Sequence, residues 1–357
     1  MKLVNQPRGR EHGMSLVELM IAMAIGIFMC GVVASLYFNM RGSFRYQEDL
    51  ARLQETGRFA LERMGRDVRM AGYNGCGSIT DFANVINGGA TSPFLNFSSP
   101  ILGYEGGVST FPTELTSAGA ITGTGAPDAI VLLGVDTSNE LVVQGHNPPS
   151  AQIDTSRHSI QAGEILLITD CSHAAVFQMT GPTNSNSNAT NVVHNTGTGS
   201  PGNCTKYLGA SCPASKSYQF KPGASMLRVY SNAYFIAPSS LGNGRRSLWA
   251  MSLTGATSGS TAQEVMEGVQ DMQITYGQDT NGDFAADKFV TADAIGTSAT
   301  EWAKVVSVRL SLLAKSSKNN IASKPQTYIF NGTTTTATDK SLYKSFTETM
   351  TLRNRSL

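Results

Sequence analysis

Apolar residues run almost unbroken from position 16 to position 38, interrupted near the start by one carboxylate, Glu18. About 23 residues wound as a helix reach ~35 Å, enough to cross a hydrocarbon core of ~30 Å. Past position 40 the pattern turns amphipathic. Tyr46, Leu50, Leu53, Gly57, Leu61, Met64 and Val68 recur every three or four residues, the spacing of one helix face. Arg45, Glu48, Arg52, Glu55, Arg58, Glu62 and Arg66 fill the positions between and predict a solvated face, with Glu48/Arg52 and Glu62/Arg66 set for (i, i+4) pairing. No proline interrupts residues 14–71, so the two patterns predict one rod of ~85 Å. Gly42, Gly57 and Gly65 are its candidate bending points, and Gly72-Tyr73-Asn74-Gly75 supplies the stop.

From position 75 the period changes to that of strands. Apolar runs at 129–135, 141–144, 164–169, 174–179, 227–236, 248–253, 272–276, 305–313 and 343–352 alternate with polar stretches. The cleanest alternation puts Val306, Val308, Leu310 and Leu312 on one face and Ser307, Arg309 and Ser311 on the other, as a half-buried strand requires. The expected fold class is α+β, a long N-terminal helix with an antiparallel β-sheet head. Residues 181–202 and 331–338, rich in Asn, Ser and Thr, are expected to be loops. The Gly/Ser/Thr stretch around Thr257, Ser258 and Ser260 reads as a flexible connection.

A charge inside a membrane span costs roughly 2.5 to 3.5 kcal/mol on insertion scales, so Glu18 persists because a partner neutralises it or a function needs it. A secretory signal peptide has no use for such an acid, and its small-residue cut site follows the apolar run, whereas here Gly13 precedes it. The plainer alternative is a Glu in the first turn of an ordinary anchor, reaching back to the bilayer surface. Lys2, Arg8 and Arg10 before the span favour a cytoplasmic leader and an exported head.

The junction His12-Gly13-Met14-Ser15-Leu16-Val17-Glu18 resembles the processing motif of the type IV pilin and pseudopilin family. The resemblance implies cleavage by prepilin peptidase after Gly13, N-methylation of Met14 and a role for Glu18 in assembly; Met14 departs from the Phe commonest in the family. Cleavage would place a new amine four residues from the Glu18 carboxylate, and a neighbouring subunit that brings an opposite charge would couple filament entry to that pair. Residues 58–73, 265–269, 276–277 and 351–354 also resemble PilW-type minor pilins. The implied division is a cleaved leader at 1–13, a transmembrane and filament-core helix at 14–40, its amphipathic continuation at 41–72 and a β-rich head at 73–357. Such subunits act at or near the pilus tip and prime polymerisation, in filaments that serve adhesion, twitching motility or DNA uptake. The implied partners are other minor pilins, the major pilin, prepilin peptidase, the inner-membrane assembly platform and the lipid bilayer. The implied location is the bacterial inner membrane, head in the periplasm, and then the extracellular pilus. A J-type minor pseudopilin of type II secretion shares these features, and a membrane-anchored surface-binding protein or hydrolase is the alternative from another class.

Composition adds limits. The 357 residues carry a net charge of +1 and only 15% charged residues, without the basic and aromatic interleaving that nucleic-acid binding requires. Cys30 lies in the apolar run, where a lone thiol behaves as a small apolar group. Cys76, Cys171, Cys204 and Cys212 remain for an oxidising compartment, with three connectivities open; Cys204 with Cys212 and Cys76 with Cys171 are favoured. Zinc competes weakly, because no Cys-x-x-Cys occurs. Asp279, Asn281, Asp283 and Asp287 place oxygens as at the start of a calcium loop, but the Gly is misplaced and the twelfth-position Glu is missing, so an acidic turn closed by Asn281-Gly282 stands beside the Ca2+ reading. His12, His146, His158, His173 and His194 fall in the leader or in polar stretches, without a nucleophile motif, so no enzyme and no certain cofactor are expected.

Overall fold

The computed structural model describes residues 13–76, 79, 81–183, 188–242, 244–253 and 261–353. The first element, α1 (Leu16–Met70), is one helix of 55 residues. Every residue from 13 to 48 is exposed; burial starts at Asp49 and continues through Leu53, Gly57, Ala60, Leu61, Met64, Gly65, Asp67 and Val68. This stripe is close to the predicted one, with two differences at its start. Tyr46 is 43% exposed and Leu50 only half-buried, because the helix turns Asp49 rather than either of them toward the head.

Ten strands form the larger sheet: β1 (Asp81–Asn84), β2 (Ile101–Tyr104), β3 (Ala129–Asn147), β4 (Gln152–His158), β5 (Ile165–Thr169), β6 (His173–Gln178), β7 (Ala189–Val193), β8 (Ser225–Pro238), β9 (Arg246–Leu253) and β10 (Thr261–Glu267). β8 is its hub, paired antiparallel to β3, β5 and β9. One pair departs from the antiparallel expectation: β1 runs parallel to β6. A four-stranded sheet orders β12 (Lys288–Val290), β11 (Val269–Gln278), β13 (Val305–Lys315) and β16 (Tyr343–Thr351) side by side. β14 (Thr327–Phe330) and β15 (Thr333–Thr336) form a separate hairpin. The architecture is α+β.

Two of the expected loops contain strands. β7 lies within 181–202 and pairs with β4, and the Thr run at 333–336 is half of the β14–β15 hairpin, turned by Asn331-Gly332. Backbone pairing in a hairpin needs no apolar face, and Thr is a good strand former, so a polar composition does not forbid a strand. Thr257, Ser258 and Ser260 lie outside the described residues.

The main core joins α1 to both sheets. Leu61, Met64 and Val68 pack with Ile130, Leu132 and Ile236 of the larger sheet, and with Met272, Ile274, Val308, Leu310 and Leu312 of the smaller. Each such side chain, fully buried, contributes roughly 1.5 to 3 kcal/mol. The register of α1 on β8 is held by a buried polar contact, in which Asn232 Nδ2 (2.7 Å) and the Tyr234 hydroxyl (2.6 Å) both donate to Asp67 Oδ2. Burial beside that carboxylate pushes the Tyr234 hydroxyl pKa upward, so it stays a donor. Of the two expected helix ion pairs, Arg52 with Glu48 is made at 2.8 Å; Glu62 and Arg66 are exposed and form none among the described residues.

Gly57 and Gly65 serve close approach rather than bending. A Cβ at Gly57 would lie 2.3 Å from the Phe346 ring, and one at Gly65 would lie 2.8 Å from Met350 Cε. The eight-residue step from one to the other along the helix rises roughly 12 Å. Phe346 and Met350, four residues apart on β16, are separated by roughly 13 Å. The helix and β16 therefore run in the same direction with matched spacing. Gly57→Val is expected to destabilise the head by about 1 to 3 kcal/mol through overpacking, read as a lower unfolding temperature of the detergent-solubilised chain. An unchanged unfolding temperature would show that the Phe346 ring moves aside freely.

Candidate assembly surface

The exposed half of α1 starts with a built N-terminus. Ser15, in extended conformation, is the N-cap: its Oγ accepts from the Glu18 amide (3.2 Å), while Glu18 Oε2 accepts from the Ser15 amide (2.9 Å). This reciprocal box satisfies two amides that a helix end leaves open and sets the carboxylate at the positive end of the helix dipole. Glu18 therefore has a partner within its own chain, so the lone subunit bears a smaller penalty than an isolated acid in lipid would impose. Gly13 and Met14 precede the cap, are exposed and are not helical.

From Leu16 the helix runs roughly 50 Å before Asp49 touches the head. Its most apolar 18-residue window has a mean hydropathy of 2.5 and is 0% buried. Such a surface is stable in lipid or against the helices of other subunits, not in water.

The head is fastened just past the end of the helix. Cys76 is bonded to Cys171 in the β5–β6 turn, and Cys204 to Cys212, so both favoured pairings are present. Cys30 is a free thiol, exposed on the apolar part of α1.

The acidic segment at 279–287 folds as a turn. Asp279 accepts from the amides of Asn281 (3.1 Å), Gly282 (2.6 Å) and Phe284 (2.9 Å), and Asp287 Oδ2 accepts from the amide and hydroxyl of Thr280, both at 2.7 Å. Asn281 Nδ2 donates to Asp283 (3.3 Å) and Asp287 (3.1 Å). The Gly282 amide holds the Asp279 pKa below the usual carboxylate range, and the Thr280 amide does the same for Asp287. Among the described residues no group of three or more His, Cys, Asp or Glu is placed to hold a metal ion.

The four head histidines are not in open loops. His146, His158 and His173 lie on β3, β4 and β6, and His194 follows β7; all four are buried. His146 and His194 lie with ring centroids 5.5 Å apart beside Phe177 and Phe220, in the core between β3, β4 and β6. His194 is fully buried, with its own backbone and that of Lys206 beside its ring. These rings pack against one another within the core. Asp49 was also missed in the sequence: its signal was its place four residues before Leu53 and eight before Gly57, on the face that goes inside.

Residues 233–354 match the model of the family described as Type IV Pilus-assembly protein W, and residues 8–34 match the Prokaryotic N-terminal methylation motif. No curated protein and no solved structure matches the chain. The first match covers β9, β10 and the whole four-stranded sheet against which α1 packs; the second covers the capped start of that helix. Both families are structural components of pili, and a methylation motif joined to an exposed apolar helix is the arrangement of a pilin anchored in the inner membrane and later carried in the pilus. A methylation motif at one end of α1, and the pilus-assembly match over the sheet that holds its other end, make the chain similar over these segments to PilW-type minor pilins of type IV pili and support that reading.

Proposed function

We propose that prepilin peptidase cuts this chain after Gly13, that Met14 becomes the methylated N-terminal residue, and that Glu18 guides the subunit into the filament. There it sits at or near the tip and primes polymerisation with other minor pilins, in a pilus used for adhesion, twitching motility or DNA uptake. The supporting observation is the capped, wholly exposed first half of α1, an apolar rod that needs either lipid or other subunits around it. The Ser15–Glu18 box survives the cut, because both residues lie after Gly13. The mature subunit then keeps a carboxylate fixed at its tip, close in sequence to its new amine, for a neighbour to read.

The mass of the chain recovered from sheared filaments tests cleavage, methylation and incorporation together. The expected mass is that of a chain starting at Met14 plus one methyl group, whereas Gly13→Val accumulates the uncut precursor in the membrane. A full-length mass in wild-type filaments ends the processing claim. Glu18→Ala is expected to insert in the membrane normally and to drop at least ten-fold in filaments, and normal piliation in that variant counts against the role given to Glu18.

A further inference from the structure

Where α1 first meets the head, a groove of about 490 Å³ opens between the helix, the end of β10 and the end of β13. Asp49 lines it, 1% exposed, and neither of its carboxylate oxygens has a hydrogen-bond partner among the described residues. A buried ionised carboxylate without a partner is among the most costly arrangements in a protein, and it calls for a specific explanation. The cations beside it are already held by other acids: Arg52 by Glu48 at 2.8 Å, Arg245 by Glu267 at 2.7 Å and Lys315 by Asp339 at 2.7 Å. Glu55, exposed on the same groove, has no ion pair among the described residues. The unanswered charge in the groove is therefore negative.

The walls define what can answer it. Leu53, Met266 and Phe59, the last 47% exposed, give the groove an apolar lining that leads to the acid. A long side chain with an aliphatic stem and a cationic head matches that sequence of surfaces, because the stem covers the apolar wall while the head reaches the carboxylate. A bare metal ion fits worse, since no group of three or more metal-ligating side chains is present among the described residues. The groove also lies directly beside the point where the exposed half of α1 leaves the head, so any subunit packed along that half passes its mouth.

We propose that this groove receives a Lys or Arg side chain of a neighbouring pilin subunit, which pairs with Asp49 and fixes the axial position of the two subunits; the inference rests on the assembly role proposed above. The pair forms only in the filament. The free subunit therefore carries an unfavourable buried charge that joining the filament relieves.

The test uses the full-length chain, co-expressed with the other pilins of its filament, carrying Asp49→Asn or, as a second replacement, Asp49→Leu. Both variants are expected to unfold in detergent at or above the wild-type temperature, because the substitution removes a charge without a partner. Both are expected to reach the membrane at normal levels and to fall at least five-fold in sheared filaments. Wild-type incorporation of Asp49→Asn overturns the proposal. A lowered unfolding temperature in both variants overturns it too, since Asp49 would then be supporting the head's own fold. Glu18→Ala, run in parallel, separates the two claims: loss of incorporation for Glu18→Ala but not for Asp49→Asn rejects the groove and leaves the assembly role intact.

Discussion

Replacing Cys171 with serine is expected to destabilise the head by about 4 to 5 kcal/mol. The Cys76–Cys171 bond closes a loop of 95 residues, and in the chain-entropy model a loop of that length restrains the unfolded chain by nearly 5 kcal/mol. Cys204–Cys212, with a separation of 8, is expected to be worth about 2 to 3 kcal/mol on the same basis. Against a total stability of about 5 to 15 kcal/mol, losing the longer bridge removes a large share. The backbone sharpens the test. Cys171 sits at φ 66°, in the left-handed region, where a side chain costs roughly 1 kcal/mol that glycine does not bear. Cys171→Gly should therefore lose the bridge but recover about 1 kcal/mol relative to Cys171→Ser. Thermal unfolding of the two variants in detergent checks both numbers, with the Ser variant melting roughly 10 °C below wild type. Equal melting of wild type and Cys171→Ser would mean that the bond constrains nothing in the unfolded chain.

Acid is expected to loosen the lobe around β3, β4 and β6 before pH 4 is reached. Burial lowers the His146 pKa to about 4; burial and the neighbouring His146 lower that of His194 to about 3. In the unfolded chain both take up protons near the ordinary value of about 6.5. The folded state thus binds fewer protons between those limits, and the stability conferred by neutral, buried rings is full above pH 6.5 and is lost as pH falls toward 4. The loss is roughly 3 kcal/mol from His146 by pH 4 and a comparable amount from His194. Asp128 works in the opposite sense. Burial raises its carboxyl to about 7, so its contribution is complete below the unfolded value and fades as pH rises through 7. The informative quantity is therefore a difference. His194→Leu, which removes a fully buried ring, should lose about 3 kcal/mol less than wild type between pH 7 and pH 4 in denaturant titrations. Parallel pH profiles for the two proteins would reject the assignment.

What could be read from residue order depended on whether a segment's polarity repeats with the period of its backbone. The helix was legible over its full length, because an unbroken apolar run and then a stripe every three or four residues both extend to Val68. The longer strands, β3, β8, β11 and β13, were legible for the same reason, though β3 continues through Asp136–Glu140, where the polar run suggested two separate strands. β7 and the β14–β15 hairpin were not. Most of their side chains are exposed or only half-buried, so no clear alternation marks them, and the order that holds them lies in backbone pairing. The parallel β1–β6 pair joins residues about 90 positions apart and has no local signature. At the candidate site, Gly13, Met14 and Glu18 were visible as a motif. Asp49 was not, because an acid on a helix reads as solvated until the partner surface is known. Loop length and compartment favour the two disulfides that form, although spacing alone leaves three pairings open.

Gly57 under Phe346 and Gly65 under Met350 form two meshed teeth aligned with the helix axis. In a fibre that is pulled lengthwise, tension enters this subunit through the protruding half of α1 and reaches the head as shear along that line. Both teeth must then be dragged past their rings and thioethers together, not opened one after the other as in peeling. The subunit should yield far less readily to retraction along the fibre than to a sideways lever on its head.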